Sequence, residues 1–238
     1  MVIVTGSGKG LGLEISKLLA ESGYKVIGIS RTYTKDFQDL ESKHPNKVEF
    51  YQFDFYNTDD ISGLVKSIVK KHGRPYGLIN NAAIGNDGVL GTMHESDIAK
   101  LIKINVEAPI LLTKYVSRSM LLNKEGRIIN IGSIIGSTGF NGLSVYGATK
   151  SALNGFTKSL ARELGKAQIT VNTLAPGYME TEMTNGLVGE KLEKIKRRSC
   201  LGRLADVNDA ANTALFLLST SASGITGTIF TVDAGSTA

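Results

Sequence analysis

The chain is poor in the residues that staple or stiffen a fold: among 238 residues there are one cysteine, Cys200, 4 prolines and no tryptophan. A single thiol cannot form an intrachain disulfide, so an apolar core has to hold the fold, and a reducing compartment is expected. No base or second thiol stands near Cys200 in the sequence, which marks it as an ordinary small residue. The histidines His44, His72 and His94 are scattered, and none has a partner at metal-ligand spacing, so no metal is expected. Apolar runs stay well short of the ~18 residues a membrane helix needs. The opening MVIVTG lacks the basic start and long apolar stretch of a secretion signal, so the expected location is cytoplasmic, without membrane contact. A net charge of +5 is spread along the chain, which argues against a nucleic-acid-binding stripe and for an acidic small molecule or acidic carrier as partner.

Hydrophobic content of 42% and charged content of 21% describe an ordinary globule. Short β-branched runs alternate with longer amphipathic stretches from end to end, the pattern of βα units around a mainly parallel sheet. Strands are predicted at 2–5, 25–30, 48–53, 77–80, 127–132, 169–174 and 228–232, and helices at 10–22, 61–71, 95–122, 145–165, 182–198 and 207–219. No repeat or linker divides the chain, so residues 1–238 are read as one doubly wound α/β domain with about seven parallel strands and helices on both faces. The polar stretch within 184–204 is expected to form a flap over the substrate.

What the chain does have is glycine, with four in the nine residues VTGSGKGLG at 4–12. They follow an apolar strand and open a helix. In that context Gly6, Ser7, Gly8, Lys9, Gly10, Leu11 and Gly12 form a turn whose bare backbone can approach a diphosphate, which the helix N-terminus then attracts. About 20 residues on, where such a site reads the adenosine ribose, stand Ser30 and Arg31 rather than an acid. Arginine there, with Lys9 adding to the field, suits the 2′-phosphate of NADP(H). Tyr146 and Lys150 lie four residues apart on a predicted helix and share a face, and Ser133 ends the fifth strand on the same edge of the sheet. Bringing a phenol from a pKa of ~10 to ~7 requires about 4 kcal/mol. An ammonium at ~5 Å in an effective dielectric near 20 supplies about 3 kcal/mol of it, so Tyr146 is expected to be acidified by Lys150 and to exchange protons with a substrate oxygen held by Ser133.

From TGSGKGLG through LINNAA, INV, IINIGS, YGATK and VNTLAPGYMETEM to ITGTIFTVDAG, essentially the whole chain resembles the short-chain dehydrogenase/reductase family. In motif wording it is most similar to bacterial 3-oxoacyl-[acyl-carrier-protein] reductases. The resemblance implies a Rossmann-type fold and a tetrad completed by Asn105, whose family counterpart holds a water that links the lysine to solvent. It implies adenine contacts from Asp54 and Phe55, an adenosine-side lining of Asn81, Ala82 and Ala83, and a nicotinamide cradle of Pro176, Gly177, Met179 and Thr181. Lys150 would also hold the nicotinamide ribose. The implied activity is NADPH-dependent reduction of a 3-oxoacyl thioester, on CoA or an acyl carrier protein, with another ketone (a sugar, a steroid-like compound or a secondary metabolite) as alternative substrate. A non-catalytic NADP-binding scaffold is the remote alternative. Family members are homotetramers or homodimers, and the small residues Ala148, Ala152, Gly155 and Ser159 would let paired helices approach. Lys124, Arg127 and the run KLEKIKRR at 191–198 are candidate docking charges for an acidic carrier. Two departures stand out: Ala83 replaces a family glycine, and Cys200 a common proline at the flap edge.

Overall fold

The computed structural model describes residues 1–179 and 189–238, the side chain of Lys191 excepted. Seven parallel strands form one sheet in the order β3-β2-β1-β4-β5-β6-β7. They are β1 Val2–Thr5, β2 Val26–Ser30, β3 Val48–Gln52, β4 Gly77–Asn80, β5 Gly126–Ile131, β6 Ile169–Pro176 and β7 Ile229–Val232. Central strands such as β1, β4, β5 and β6 are buried at every position, as continuous apolar runs covered on both faces require. Strand order reverses between β1 and β4, and the crevice outside their carboxyl ends is where ligands bind in such sheets.

The helices divide between two half-cores. On one face α1 Gly10–Glu21, α2 Lys35–Lys43 and α9 Val207–Leu218 pack Leu13, Leu19, Phe37, Ala214 and Leu217 against Val4, Val26 and Ile129. On the other, α3 Ile61–His72, α5 Ala108–Asn123 and α7 Ser144–Leu164 pack Ile68, Leu112, Val116 and Leu160 against Ile3, Ile27 and Ile128. Short helices α4 Glu95–Ile102 and α6 Ile135–Thr138 lie near the carboxyl edge, and α8 Glu190–Arg198 follows the undescribed stretch. The expected flap at 184–204 falls partly outside the described residues. Its later part is tied down, since Cys200 N–H and Leu201 N–H donate to Gly235 O and Ala234 O at 3.4 and 3.1 Å.

Three expectations need correction. Helix α2 was not foreseen, because KDFQDLESK has only Phe37 and Leu40 to bury; a Thr34 cap accepting from Phe37 N–H at 3.3 Å starts it. Helix α6 was likewise missed, a single turn with no buried residue. The single helix expected over 95–122 is broken by a π turn at Lys103–Glu107, centred on Asn105.

Phe37 also explains a glycine in the middle of β2. A methyl on Gly28 would lie 2.3 Å from the Phe37 ring and 2.6 Å from Ser7 Oγ. Gly28→Ala should therefore lower the urea midpoint, at a cost of about 1–3 kcal/mol for overpacking. Gly63→Ala should raise it by up to about 1 kcal/mol, because Gly63 lies on the exposed face of α3 with nothing within 4 Å of the added carbon.

Candidate active site

The glycine turn leaves the carboxyl end of β1 and is closed from below by Asn81, which follows β4. Asn81 Nδ2 donates to Thr5 O at 2.9 Å and to Gly6 O at 3.2 Å, while Asn81 N–H and Ala82 N–H both donate to Thr5 Oγ1 at 2.9 Å. The turn is so tight that a methyl on Gly12 would meet Gly6 O at 2.3 Å, and Gly6 itself has φ +64°. Lys9 stands at the N-cap of α1 without a side-chain cap. Among the described residues no side chain caps the start of α1, which is the arrangement a diphosphate completes. Gly8 faces the end of β2: a methyl there would come within 3.1 Å of Thr32 O and 3.3 Å of Ser30 Oγ, and Thr34 Oγ1 donates to Gly8 O at 2.6 Å. Arg31 is exposed beside it, its carbonyl held by Gln52 Nε2 at 3.0 Å. Gly8, Lys9, Gly10, Ser30 and Arg31 therefore share one corner and fit a phosphorylated dinucleotide. Ser7 belongs there by its backbone only, since its hydroxyl is buried beside Gly28 with no hydrogen-bond partner among the described residues.

Farther along the edge, Asp54 Oδ1 accepts from Tyr56 N–H at 3.0 Å, shaping the turn after β3. Phe55 is turned into the core, edge-on to Phe53 at 5.2 Å. Ala83 sits outside the left-handed region, so its methyl replaces glycine without backbone strain. Pro176 ends β6, and Gly177 packs so tightly on Asp233 that a methyl would lie 2.6 Å from its Cβ. Met179 bridges to Ala205, whereas Thr181 lies outside the described residues.

Ser133, Tyr146 and Lys150 converge as the spacing predicts. Lys150 is 3% exposed; its Nζ donates to Ile131 O at 2.9 Å and lies 5.7 Å from the Tyr146 ring centroid. Burial alone pushes this ammonium down to about 8. The Tyr146 phenol moves the other way: burial raises it above its ordinary value, the neighbouring Ser133 hydroxyl pulls it back in part, and the Asp87 carboxylate raises it again. The expectation that Lys150 acidifies Tyr146 is thus corrected. The low-dielectric surroundings that make the ammonium costly make the phenolate costly as well. Asp87 escaped sequence reasoning because nothing in GNDG marks it. Its loop is brought in by a hydrogen bond from Gly88 N–H to Gly142 O at 2.9 Å, four residues ahead of Tyr146.

Asn105 joins the group through its side chain. Oδ1 accepts from Ile84 N–H and Nδ2 donates to Ile84 O, both at 2.9 Å, and Nδ2 also reaches Thr149 Oγ1 at 3.2 Å. The amide therefore braces the loop after β4 against the residue preceding Lys150. Among the expected docking charges, Arg127 is corrected to a buried side chain, 4% exposed. Those of α8 are partly matched by Glu190 and Glu193, which pair with Lys194 and Lys196 at 3.2 and 3.0 Å. No group of three or more metal-ligating side chains occurs among the described residues. Among them, no helix is long and apolar enough to cross a membrane.

Residues 6–237 match a family model described as enoyl-(acyl carrier protein) reductase. The chain is 36% identical over 235 residues to the 3-oxoacyl-[acyl-carrier-protein] reductase FabG of Vibrio cholerae, covering 99% of this chain and 96% of that protein. It is 38% identical over 237 residues to carbonyl reductase family member 4 of Xenopus tropicalis, covering 98% and 95%. Among solved structures, ElxO with NADP bound superposes with a TM-score of 0.91 at 31% identity, covering 99% of this chain and 97% of that one.

The buried ammonium yields a stability prediction. Its folded pKa of about 8 lies below the ordinary 10.5, so below pH 8 the folded state bears the whole cost of burying the charge. As pH rises from 8 towards 10.5 the unfolded state holds more protons and that cost is relieved. Lys150→Met should therefore be more stable than the parent at pH 7, by about 1–3 kcal/mol after loss of the Ile131 contact. The gain should shrink by pH 10 in parallel urea titrations.

Proposed function

The chain belongs to the short-chain dehydrogenase/reductase family of oxidoreductases, and on that premise we propose that it reduces a ketone to a secondary alcohol with NADPH, the substrate being a 3-oxoacyl thioester. The observation that carries this reading is the convergence of Ser133, Tyr146 and buried Lys150 on the sheet edge that also bears the glycine turn. When bound, NADPH supplies the hydride. The residues that would hold it are the Gly6–Gly12 backbone, Ser30 and Arg31 at the 2′-phosphate, Asn81 and Ala82 along the adenosine side, and Pro176, Gly177 and Met179 at the nicotinamide end. Asp54 and Phe55 belong to this reading through their backbone near the adenine.

The protein's own contribution is alignment and proton supply. A phenol raised above its ordinary value stays protonated at neutral pH, so Tyr146 is poised as a donor to the substrate oxygen as negative charge develops there. The Ser133 hydroxyl donates to the same oxygen and fixes its position. Lys150 spends one N–H on Ile131 O, leaving two donors, one for the ribose and one for a proton path to Tyr146. Asn105 holds that path in place by bracing Ile84 and Thr149. The V. cholerae relative is named for a 3-oxoacyl group on an acyl carrier protein, and we extend that substrate class, as a thioester, to this chain, with an acyl carrier protein as partner. Assembly into a homotetramer or homodimer belongs to the same proposal; Ala148, Ala152, Gly155 and Ser159 are all exposed along α7.

The test is consumption of NADPH by the purified protein with acetoacetyl-CoA. Tyr146→Phe should retain NADPH binding yet lose at least about 100-fold in kcat. Arg31→Asp should weaken NADPH and improve NADH. If no 3-oxoacyl thioester is turned over while other ketones are, the thioester part of the reading fails and the reductase part stands. The same geometry fixes a pH dependence. Alcohol oxidation needs the phenolate, so its rate should climb into the alkaline range while ketone reduction stays level near neutrality. Asp87→Asn removes a raising influence and should move the alkaline limb of oxidation to lower pH.

A further inference from the structure

A glycine turn attracts an anion only when its carbonyl oxygens face elsewhere, because an oxygen with partial negative charge in the ligand corner repels a phosphate where an N–H attracts it. Three carbonyls of this turn are tied away by named donors. Gly6 O accepts from Asn81 Nδ2 at 3.2 Å, and Lys9 O accepts from Leu13 N–H of α1 at 3.4 Å. Gly8 O, in the corner shared with Ser30 and Arg31, is taken by a side chain 26 residues away: Thr34 Oγ1 donates to it at 2.6 Å.

Thr34 is half-buried at the N-cap of α2. A hydroxyl has one proton to give and lone pairs to receive with, and here both are used. The proton goes to Gly8 O, and a lone pair accepts from Phe37 N–H at 3.3 Å. Phe37 is itself fully buried against Gly28 of β2. The core therefore sets the position of α2, and the Thr34 hydroxyl passes that position on to the glycine turn. The Gly8–Lys9 peptide is trans, so with its carbonyl turned to Thr34 the Lys9 N–H points the opposite way. The Thr34 methyl borders the same turn, 3.4 Å from where a side chain on Gly8 would begin.

We propose that Thr34 is a positioning residue for the cofactor's 2′-phosphate. Its hydroxyl holds the Gly8 carbonyl out of the corner formed by Lys9, Ser30 and Arg31, and this strengthens the preference for NADPH over NADH. The inference rests on the NADP(H) reading of that corner and adds to it a residue that acts through the turn. Without the hydroxyl the Gly8–Lys9 peptide is released to rotate, and its oxygen then competes with the phosphate for the same cations. The diphosphate, placed at the N-terminus of α1, loses little by that change. The effect is therefore selective for the cofactor that carries the extra phosphate.

Titration of the purified full chain with NADPH and with NADH, followed by nicotinamide fluorescence, tests this without turnover. Thr34→Val keeps the branched shape and removes the hydroxyl. It should raise the Kd for NADPH about tenfold and that for NADH by less than about threefold. Thr34→Ser, which restores the hydroxyl, should return the ratio of the two constants to the parent value. A role confined to capping α2 would lower the urea midpoint and leave that ratio alone. Leu40→Ala supplies the comparison, since it loosens α2 from the core and keeps the hydroxyl, and it should bind the two cofactors in the parent ratio. An unchanged ratio in Thr34→Val, an equal change in Leu40→Ala, or no rescue by Thr34→Ser overturns the proposal and leaves the NADP(H) reading standing. A parent that binds both cofactors equally removes the 2′-phosphate reading, and this inference with it.

Discussion

The site depends on an ammonium held inside the protein. Lys150 is 3% exposed and anchored to the carbonyl of Ile131, two residues before Ser133 in the same strand-to-loop passage. That contact fixes α7 against β5 at the level where Tyr146 and Ser133 have to meet. Its cost is visible in the depressed pKa, and among the described residues no buried carboxylate pairs with it to relieve that cost. A charge kept in the core without a counter-charge persists when the surroundings over-determine its position. Here the over-determination is concrete: Asn105 clamps Ile84 on one side and Thr149 on the other, and Thr149 Oγ1 donates to Tyr146 O at 2.7 Å.

Below this group lies a second device of the same kind. Asn80 Nδ2 donates to Thr113 Oγ1 and to Asn130 Oδ1, Asn130 Nδ2 donates to Thr157 Oγ1, and Thr157 meets Thr173, each link at 2.8 Å. All five side chains are buried, and they cross β4, β5 and β6 while reaching α5 and α7. Asn80 pairs in register with Asn130, and Asn130 with Thr173. A slip of one residue would turn these polar groups to the opposite face and strand them, so the ladder specifies register where apolar runs alone would tolerate shifts. The residues next to it, Asn81 and Ser133, inherit that precision.

The sequence discloses the elements whose signal is local. All seven strands lie where β-branched runs place them, and the glycine turn, Arg31, Tyr146 and Lys150 occupy the corner and edge that their spacing implies. It conceals what depends on tertiary partners. Helix α2 exists because Phe37 has Gly28 to cover, a relation between positions nine apart that no periodicity displays. The π turn at Asn105 is settled by Ile84 and Thr149, 21 and 44 residues away. Asp87 acts on Tyr146 only because Gly88 is tethered to Gly142. Arg127 reads as a surface charge beside Lys124, and only the closing of three turns around it makes it a buried one.

The electrostatic directions at Tyr146 and Lys150 clarify what such a pair accomplishes. Had the ammonium made the phenol strongly acidic, the resting site would hold a phenolate, suited to drawing a proton from an alcohol. Burial instead keeps the phenol protonated and brings the ammonium close to losing its proton, a pKa of about 8 against a raised phenol. In this resting order the more readily released proton sits on Lys150 and the phenol is filled. In the proposed reaction, where Tyr146 protonates a nascent alkoxide, the adjacent ammonium would refill it at little cost, because the buried charge it gives up is unfavourable to begin with. For the proposed reaction that ordering suits reduction at neutral pH. It follows from desolvation of both groups together, which four-residue spacing on a helix ensures whenever that face of the helix is covered by the sheet.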